Sequence, residues 1–167
     1  MNAQQLHQPE SERDPLDVVE QVVAAEEFHY ERTGDGEVHF TAPGEQLTHQ
    51  MWFAWSDAIE TLHICLSLET RSPVKDRAKA CDLVALLNER LWLGHFDIWS
   101  EDGAIVYRNA LALPGGVMPE PGQVAALIAA AVEAGERFYP AYNYMVWAGK
   151  TAHEAVSAAM FETAGEA

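Results

Sequence analysis

Cys65 and His63 have the chemistry of a nucleophile and its general base. They lie two positions apart in residues 62–68, where apolar and polar residues alternate, so both project from the polar face of a predicted strand. A cysteine beside a histidine can form an activated nucleophile. Same-face neighbours on one strand are about 7 Å apart, however, which is too far for direct proton transfer. We therefore interpret them as ordinary residues of a sheet face and predict no catalytic residue.

Histidine is the second residue type that could do chemistry, since the chain has seven. His63, His95 and Asp97 could meet across strands, although strand register cannot be read from one sequence. No two histidines have the i, i+4 spacing of a helical zinc motif, and no Cys-x-x-Cys is present. Nucleophile-elbow, phosphate-loop and dinucleotide-binding patterns are also missing. We expect neither a metal site nor a cofactor.

A cluster of cations is the clearest binding feature of the sequence. Four of its ten Lys and Arg residues lie within nine positions at the start of a predicted helix: Arg71, Lys75, Arg77 and Lys79. Positive charge at that end opposes the helix dipole and costs about 0.3–1 kcal/mol per exposed residue. One interpretation is a docking patch for an acidic partner segment or an anion. The other is that these cations, beside Asp76, only reduce repulsion within an acidic chain.

Two tryptophans are predicted on the sheet face that is turned away from the first helix. Trp52 and Trp99 have strand parities opposite to those of Phe53 and Ile98. Large apolar groups on a second face are usually covered by something. We expect the cover to be the C-terminal helices of this chain, with a partner protein as the alternative.

The helices follow from capping residues and from apolar spacing. Asp14-Pro15 predicts a helix to about residue 27, and Ser72-Pro73 predicts a second helix over 73–92, which ends before Gly94. The chain from Pro121 onward is also predicted to be helical. There, a new helix is expected near Pro140, and Thr151 to Glu154 form a capping box at the start of the last one.

Strands are predicted within residues 28–68 and 95–113. The pair Asp35-Gly36 lies between two alternating segments, which is typical of a hairpin. Short hairpin turns force antiparallel pairing, because parallel strands need a long crossover. The predicted fold class is therefore α+β, with one antiparallel sheet and the order α-β-β-β-β-α-β-β-α-α.

Length and charge limit the classes of function. The chain has 167 residues and suggests a single domain over 14–165, preceded by a disordered tail at 1–13. A net charge of −16 disfavours nucleic acid as a partner. No apolar run approaches the roughly 20 residues that cross a membrane, and the N-terminus does not have the pattern of a secretory signal. Two cysteines, Cys65 and Cys81, are expected to be reduced thiols of a cytoplasmic protein.

Three segments of the sequence resemble the bacterial YbjN family. They are ALLNERLWLGHFDIWSEDGAIVYRNALAL at 85–113, ERFYPAYNYMVWAGKTAHEA at 136–155 and DPLDVVEQ at 14–21. Members of this family are described as sensory-transduction regulators with a fold similar to that of type III secretion chaperones. The resemblance implies that fold and a regulatory role, and it carries no catalytic motif.

The predicted helix at 73–92 has a second set of apolar or uncharged residues besides the stripe that faces the sheet: Val74, Ala78, Cys81, Ala85, Leu86 and Trp92. A helix that is apolar on more than one face needs cover on both sides. In the secretion-chaperone-like fold, the corresponding helix commonly joins two subunits. The resemblance therefore implies a homodimer, with Val74, Ala78, Ala85 and Leu86 as candidate interface residues.

The favoured function is a non-enzymatic regulatory protein that acts by protein–protein interaction, in signal transduction or stress response. One alternative is a small-molecule-binding or enzymatic domain that uses the second sheet face, with His63, Cys65, His95 and Asp97. Another alternative is a secretion-chaperone-like protein that binds one client.

Overall fold

The computed structural model describes residues 14–71 and 77–164, with the backbone alone for 69–71 and 161–164. Its helices and strands are α1 (Pro15–Ala25), β1 (Tyr30–Thr33), β2 (Glu37–Pro43), β3 (Thr48–Ser56), β4 (Thr61–Arg71), α2 (Arg77–Asn88), β5 (His95–Ile98), β6 (Ala104–Ala112), α3 (Pro121–Trp147) and α4 (Ala152–Ala164). This order is the predicted one, and the α+β fold class is confirmed. The predicted tail at 1–13 and the predicted helix start at 72–73 lie outside the described residues.

The six strands form one antiparallel sheet in the order β1-β2-β3-β4-β6-β5. The first hairpin turns where Asp35-Gly36 predicts, with Thr33 paired to Glu37. Gly36 has a φ of +77°, which glycine adopts without strain. After β4 the chain passes through α2 to the far edge of the sheet, and β6 returns beside β4. The single antiparallel sheet predicted for residues 28–68 and 95–113 is confirmed.

One face of this sheet forms the hydrophobic core. Alternate residues of the central strands, such as Leu62, Ile64 and Leu66 of β4, are completely buried there. Helix α1 packs over β2 and β3, and α3 packs over β4 and β6. The rings of Phe96 and Phe138 meet with centroids 4.9 Å apart. Because strand side chains alternate between faces, the polar half of each strand points away from the helices.

The C-terminal helices lie on the same face as α1, so the prediction that they cover the second face is wrong. Ala155 and Val156 of α4 are buried in the same core as Leu16 of α1, and α4 contacts α2 and α3. The physical reason is that the apolar stripes of α3 and α4 join the larger apolar surface of the inner sheet face. Covering the other face would instead bury charged and imidazole side chains, which is unfavourable.

The first helix begins where its capping residue predicts. The Asp14 side chain accepts a hydrogen bond from the backbone N–H of Leu16 at 2.9 Å. Arg32 of β1 donates to Asp17 and to Glu20 at 2.7 Å each, and it also bonds to Asp14. Hydrogen bonds to Asp17 and Glu20 raise the pKa of Arg32 further above its ordinary value. One guanidinium therefore fastens α1 to the edge strand.

Helix α2 ends at Asn88, four residues before the predicted end at Trp92. The Asn88 side chain accepts from the backbone N–H of Phe96 at 2.8 Å and donates to the Phe96 carbonyl at 3.1 Å. The following turn is tightened by a bond from the N–H of Arg90 to the carbonyl of Leu87 at 2.9 Å. The helix stops early because Asn88 pairs with β5 instead of facing solvent.

Helix α3 continues through Pro140, so the predicted helix break at this residue is wrong. Proline in a helix interior removes one hydrogen bond and costs about 3 kcal/mol. Phe138, Ala141 and Tyr142 on either side of it are all buried in the core. Their packing offsets the loss, because tertiary burial stabilises most protein helices more than local propensity does.

The capping box that precedes α4 forms as predicted. The Thr151 hydroxyl accepts from the backbone N–H of Glu154 at 3.3 Å, and the Glu154 carboxylate accepts from the N–H of Thr151 at 2.8 Å. The bond from the Thr151 backbone lowers the pKa of Glu154. The turn between α3 and α4 is therefore closed by local hydrogen bonds.

Gly94 provides a test of close packing between the α2–β5 loop and the sheet. Its φ is +67°, and a Cβ at this position would lie 2.7 Å from the backbone oxygen of Arg108 and would also overlap the Tyr107 ring. Gly116 has a similar φ of +75°, and no atom lies within 4 Å of a Cβ built on it.

Gly94→Ala should therefore lower the free energy of unfolding by about 3 kcal/mol or more, from strain plus overpacking. Gly116→Ala, the matched control, should lower it by about 1–2 kcal/mol from strain alone. Equal losses in urea titrations would contradict this account.

Candidate functional site

The sheet face opposite the described helices carries a row of polar and aromatic side chains, and we call it the open face. Its central row consists of successive register partners on five strands: His39, Trp52, Cys65, Arg108 and His95. The His39 ring stacks on Trp52 with centroids 5.9 Å apart. Glu37 Oε2 lies 2.7 Å from His39 Nε2. The row is held together by pairs of neighbours and does not converge on one point.

Trp52 and Trp99 both lie on the open face, as strand parity predicted. With Val106 they line a shallow depression of about 490 Å³. Val106 pairs with Ser67 and has the parity of this face, yet only 1% of it is exposed. Trp99 itself is 44% exposed. The two tryptophans thus shield part of the face themselves.

The four residues of the alternative ligand or enzyme site are spread over the open face. His63 lies opposite Ala110, whereas His95 lies opposite Arg108. Strand β6 separates β4 from β5, so side chains on the outer two strands start about 9–10 Å apart. Asp97 bonds instead to Arg108 at 3.5 Å. Among the described residues, no cluster of three His, Cys, Asp or Glu side chains could hold a metal ion.

The Cys65 thiol is not activated by its surroundings. Burial raises the pKa of Cys65, and the nearby charge of Arg108 offsets this only in part. His63 lies two residues away from Cys65 on the same strand. Its register partners on the neighbouring strands are Ala54 and Ala110. A thiol with a raised pKa stays protonated at neutral pH and is a poor nucleophile.

This environment predicts unequal reactivity of the two cysteines. Cys81 is exposed on α2, whereas Cys65 is partly buried between strands. Iodoacetamide at pH 7 should alkylate Cys81 about tenfold faster or more, because only the thiolate reacts. Raising the pH to 9.5 should accelerate the reaction of Cys65. Peptide mass spectrometry over time measures both rates, and faster labelling of Cys65 at pH 7 would contradict the prediction.

Helix α2 and the loop after it present the candidate partner and dimer residues, and we call this region the α2 surface. Arg77 donates to the Trp99 carbonyl at 3.4 Å, and Lys79 is exposed. Ala78 and Ala85 are exposed, and Leu86 is half-buried. Of the remaining candidates, Lys75 and Val74 lie outside the described residues, and Arg71 is described by its backbone alone.

The loop after α2 exposes two large apolar residues. Trp92 is 99% exposed, and the next residue, Leu93, is 60% exposed.

A groove that the sequence analysis missed runs along α3, and we call it the α3 groove. Its larger part has a volume of about 720 Å³ and lies between α1, the β2–β3 loop and α3. Apolar side chains dominate the walls: Val22, Phe28, Ala42, Ile128, Ala129 and Val132. In the sequence these residues have the spacing of ordinary core positions. The groove exists only because three distant segments meet, so no local pattern distinguishes it.

A buried histidine–carboxylate pair joins the start of β3 to α3 beside this groove. His49 is 1% exposed, and its Nε2 lies 2.7 Å from Glu136 Oε1. Glu136 Oε2 accepts from the backbone N–H of Gln46 at 3.1 Å. A Cβ at Gly135 would lie 2.8 Å from His49 Cε1, so glycine makes room for the ring. One sequence signal could have predicted that His49 is buried. It has the same odd-numbered strand parity as the buried Met51 of β3.

These features define an α+β protein with helices on one face of its sheet, of the kind found in type III secretion chaperones. A family model described as "YbjN: Putative bacterial sensory transduction regulator" matches residues 15–143. The chain belongs to the YbjN family.

Two solved structures have the same fold. One is the crystal structure of YbjN, "a putative transcription regulator from E. coli", with 10% identity, a TM-score of 0.51 and coverage of 71% of this chain and 84% of that one. The other is the HopA1–SchA chaperone–effector complex, with 10% identity, a TM-score of 0.51 and coverage of 74% and 91%. No curated protein matches the sequence. None of the helices in the described ranges is long and apolar enough to cross a membrane.

Proposed function

We propose that this chain is a non-enzymatic regulatory protein that binds another protein in the bacterial cytoplasm, in signal transduction or stress response. One domain over residues 14–165 carries this function. Membership of the YbjN family and the fold shared with a chaperone–effector complex support a protein partner. The observation that carries the proposal is the exposed apolar pair Trp92 and Leu93 on the α2 surface.

Exposure of this pair is unfavourable unless something covers it. Trp92 leaves nearly its whole indole in water, and Leu93 is also more than half exposed. Contiguous exposed apolar groups mark interaction sites, and tryptophan is among the residues most enriched at the energetic centres of interfaces. The pair lies on a loop that Asn88 anchors to β5, so it is presented at a defined position.

The basic cluster supplies the second contact in this proposal. Arg71, Lys75, Arg77 and Lys79 would attract an acidic segment of the partner to α2. Lys79 is exposed, and within the described residues Arg77 bonds to a backbone carbonyl, so both remain available to a carboxylate. Exposed charges of this kind favour association rate and orientation more than affinity.

Affinity capture tests this contact. The double variant Lys75→Glu and Lys79→Glu should recover its protein partner at least fivefold less efficiently than the wild type, and 0.5 M salt should have the same effect because it screens exposed charges. Lys150→Glu, at an exposed position between α3 and α4, is the matched control and should leave the recovery unchanged. Recovery that survives both the variant and salt would contradict the role of the cluster.

We also propose a homodimer formed through the α2 surface. Ala78 and Ala85 are exposed on α2, and Leu86 is half-buried, so the helix offers a second face besides its buried stripe. A two-fold interface allows a single patch to cover itself. The net charge of −16 opposes association, so the contact must rest on apolar burial at about 25 cal/mol per Å².

Light scattering at micromolar concentration measures this dimer. The wild type should have twice the monomer mass of 18.5 kDa. Leu86→Glu or Ala85→Glu should give the monomer instead, because the dimer interface would bury an unpaired charge. Ala126→Glu, on an exposed position of α3, is the control. A wild-type mass of 18.5 kDa would end the proposal. A dimer that neither α2 variant disrupts would move the interface to the open face around Trp52 and Trp99.

A second candidate function is chaperone-like binding of one client protein. The fold shared with the chaperone–effector complex favours it. A client would form a stoichiometric complex and become soluble when produced together with this chain. A regulator would instead alter the activity of a partner that is already soluble.

A further inference from the structure

The α3 groove extends beyond its larger part. A second depression of about 460 Å³ lies between Gln46 and the C-terminal half of α3, and Gln46 also lines the first. The α3 residues that line the two run at helical spacing from Ala125 to Trp147. At 1.5 Å per residue this is about 33 Å of helix surface. The groove is therefore long enough for several turns of a second helix.

Most of the charged groups in the larger part of the groove are acidic. Its larger part is lined by four carboxylates: Glu26, Glu45, Glu133 and Glu136. Arg137 is the one cation among those lining residues, and it already pairs with Glu133 at 2.5 Å. An apolar floor with a negative rim matches an apolar ligand that has a positive rim.

Pro140 adds a further acceptor beside the carboxylates. Proline has no N–H, so the backbone carbonyl of Glu136 lacks its usual helical donor. Pro140 lines the second depression, and Glu136 lines the first. This carbonyl therefore lies on the part of α3 that lines the two depressions.

We propose that the α3 groove binds a cationic amphipathic helix of a partner protein. This inference rests on the proposed protein-binding function and identifies the partner's chemistry. Leucine-like side chains at i, i+3, i+4 and i+7 would contact Val22, Ile128 and Val132. Lysines or arginines along the edges would meet Glu26, Glu45 and Glu133. The alternative occupant is α2 of a second copy of the chain. That contact would be head-to-tail, so it would extend into a chain of molecules and would not close into a dimer.

The test uses a fluorescein-labelled 15-residue peptide of leucine and lysine, with the leucines on one helical face. Fluorescence anisotropy in 0.15 M salt should detect binding at least tenfold tighter than for two control peptides. One control has the same composition in an order that is not amphipathic, and the other has glutamate in place of lysine. Equal binding of the amphipathic and reordered peptides would reduce the effect to general charge attraction and overturn the proposal.

Matched variants of α3 locate the site. Ala129 and Ala126 are both exposed on α3, but only Ala129 lines the groove. Ala129→Lys should weaken peptide binding at least tenfold, because it fills the groove and adds a like charge. Ala126→Lys should change binding less than twofold. Glu26→Gln, which removes charge without adding bulk, should weaken binding by about two- to fivefold, the effect of one exposed ion pair. Circular dichroism confirms that each variant is folded.

The same variants separate this inference from the proposed function. If Ala129→Lys loses the peptide and also loses the captured protein partner, the groove is the partner site. If it has no effect on the peptide, the groove proposal is wrong, whatever the capture experiment gives. If the peptide binds as expected but capture is unaffected, the partner does not use this groove, and the proposal fails for that partner. If the protein alone forms chains that excess peptide or Ala129→Lys disperses, a second copy is the occupant, which overturns the choice of a partner helix.

Discussion

The packing of α3 across the centre of the sheet is the interaction on which the rest of the structure depends. Its buried residues, among them Ile128, Ala131 and Phe138, cover the inner side of β4 and β6. The same helix contacts α1, α2 and α4, so it joins all the helical elements to one core. Apolar burial is the dominant favourable term of folding, and here it holds a helix together across an internal proline. The outer side of α3 then becomes the wall of the groove.

Much of the fold could be predicted because its signals act over a few residues. Alternation along β4 from Leu62 to Leu68 identifies both a strand and its buried face. Asp35-Gly36 and Asp14-Pro15 identify a turn and a helix start by backbone chemistry that needs no tertiary contact. The residues of the open face were assigned correctly for the same reason, since strand parity alone places Trp52 and Trp99 there.

The features that could not be predicted depend on contacts between distant segments. His49 and Glu136 are 87 residues apart, and only the tertiary fold brings them within 2.7 Å. Asn88 ends α2 early because its side chain bonds to the backbone of Phe96, which requires β5 to be in place. Pro140 predicts a break by local rules, and packing overrides it. The spread of His63 and His95 likewise follows from strand order, which a single sequence does not reveal.

The two edges of the sheet limit pairing with strands of other molecules. Edge strands β1 and β5 have only four residues each. Unpaired backbone groups at a sheet edge are templates for strands of other molecules, and short edges with charged side chains protect against that. Glu31 and Arg32 occupy one edge, and Asp97 lies on the other. Growth of amyloid-like ladders is therefore disfavoured even where the molecule exposes apolar surface, so its exposed apolar residues are available for contacts through side chains without a template for strand addition beside them.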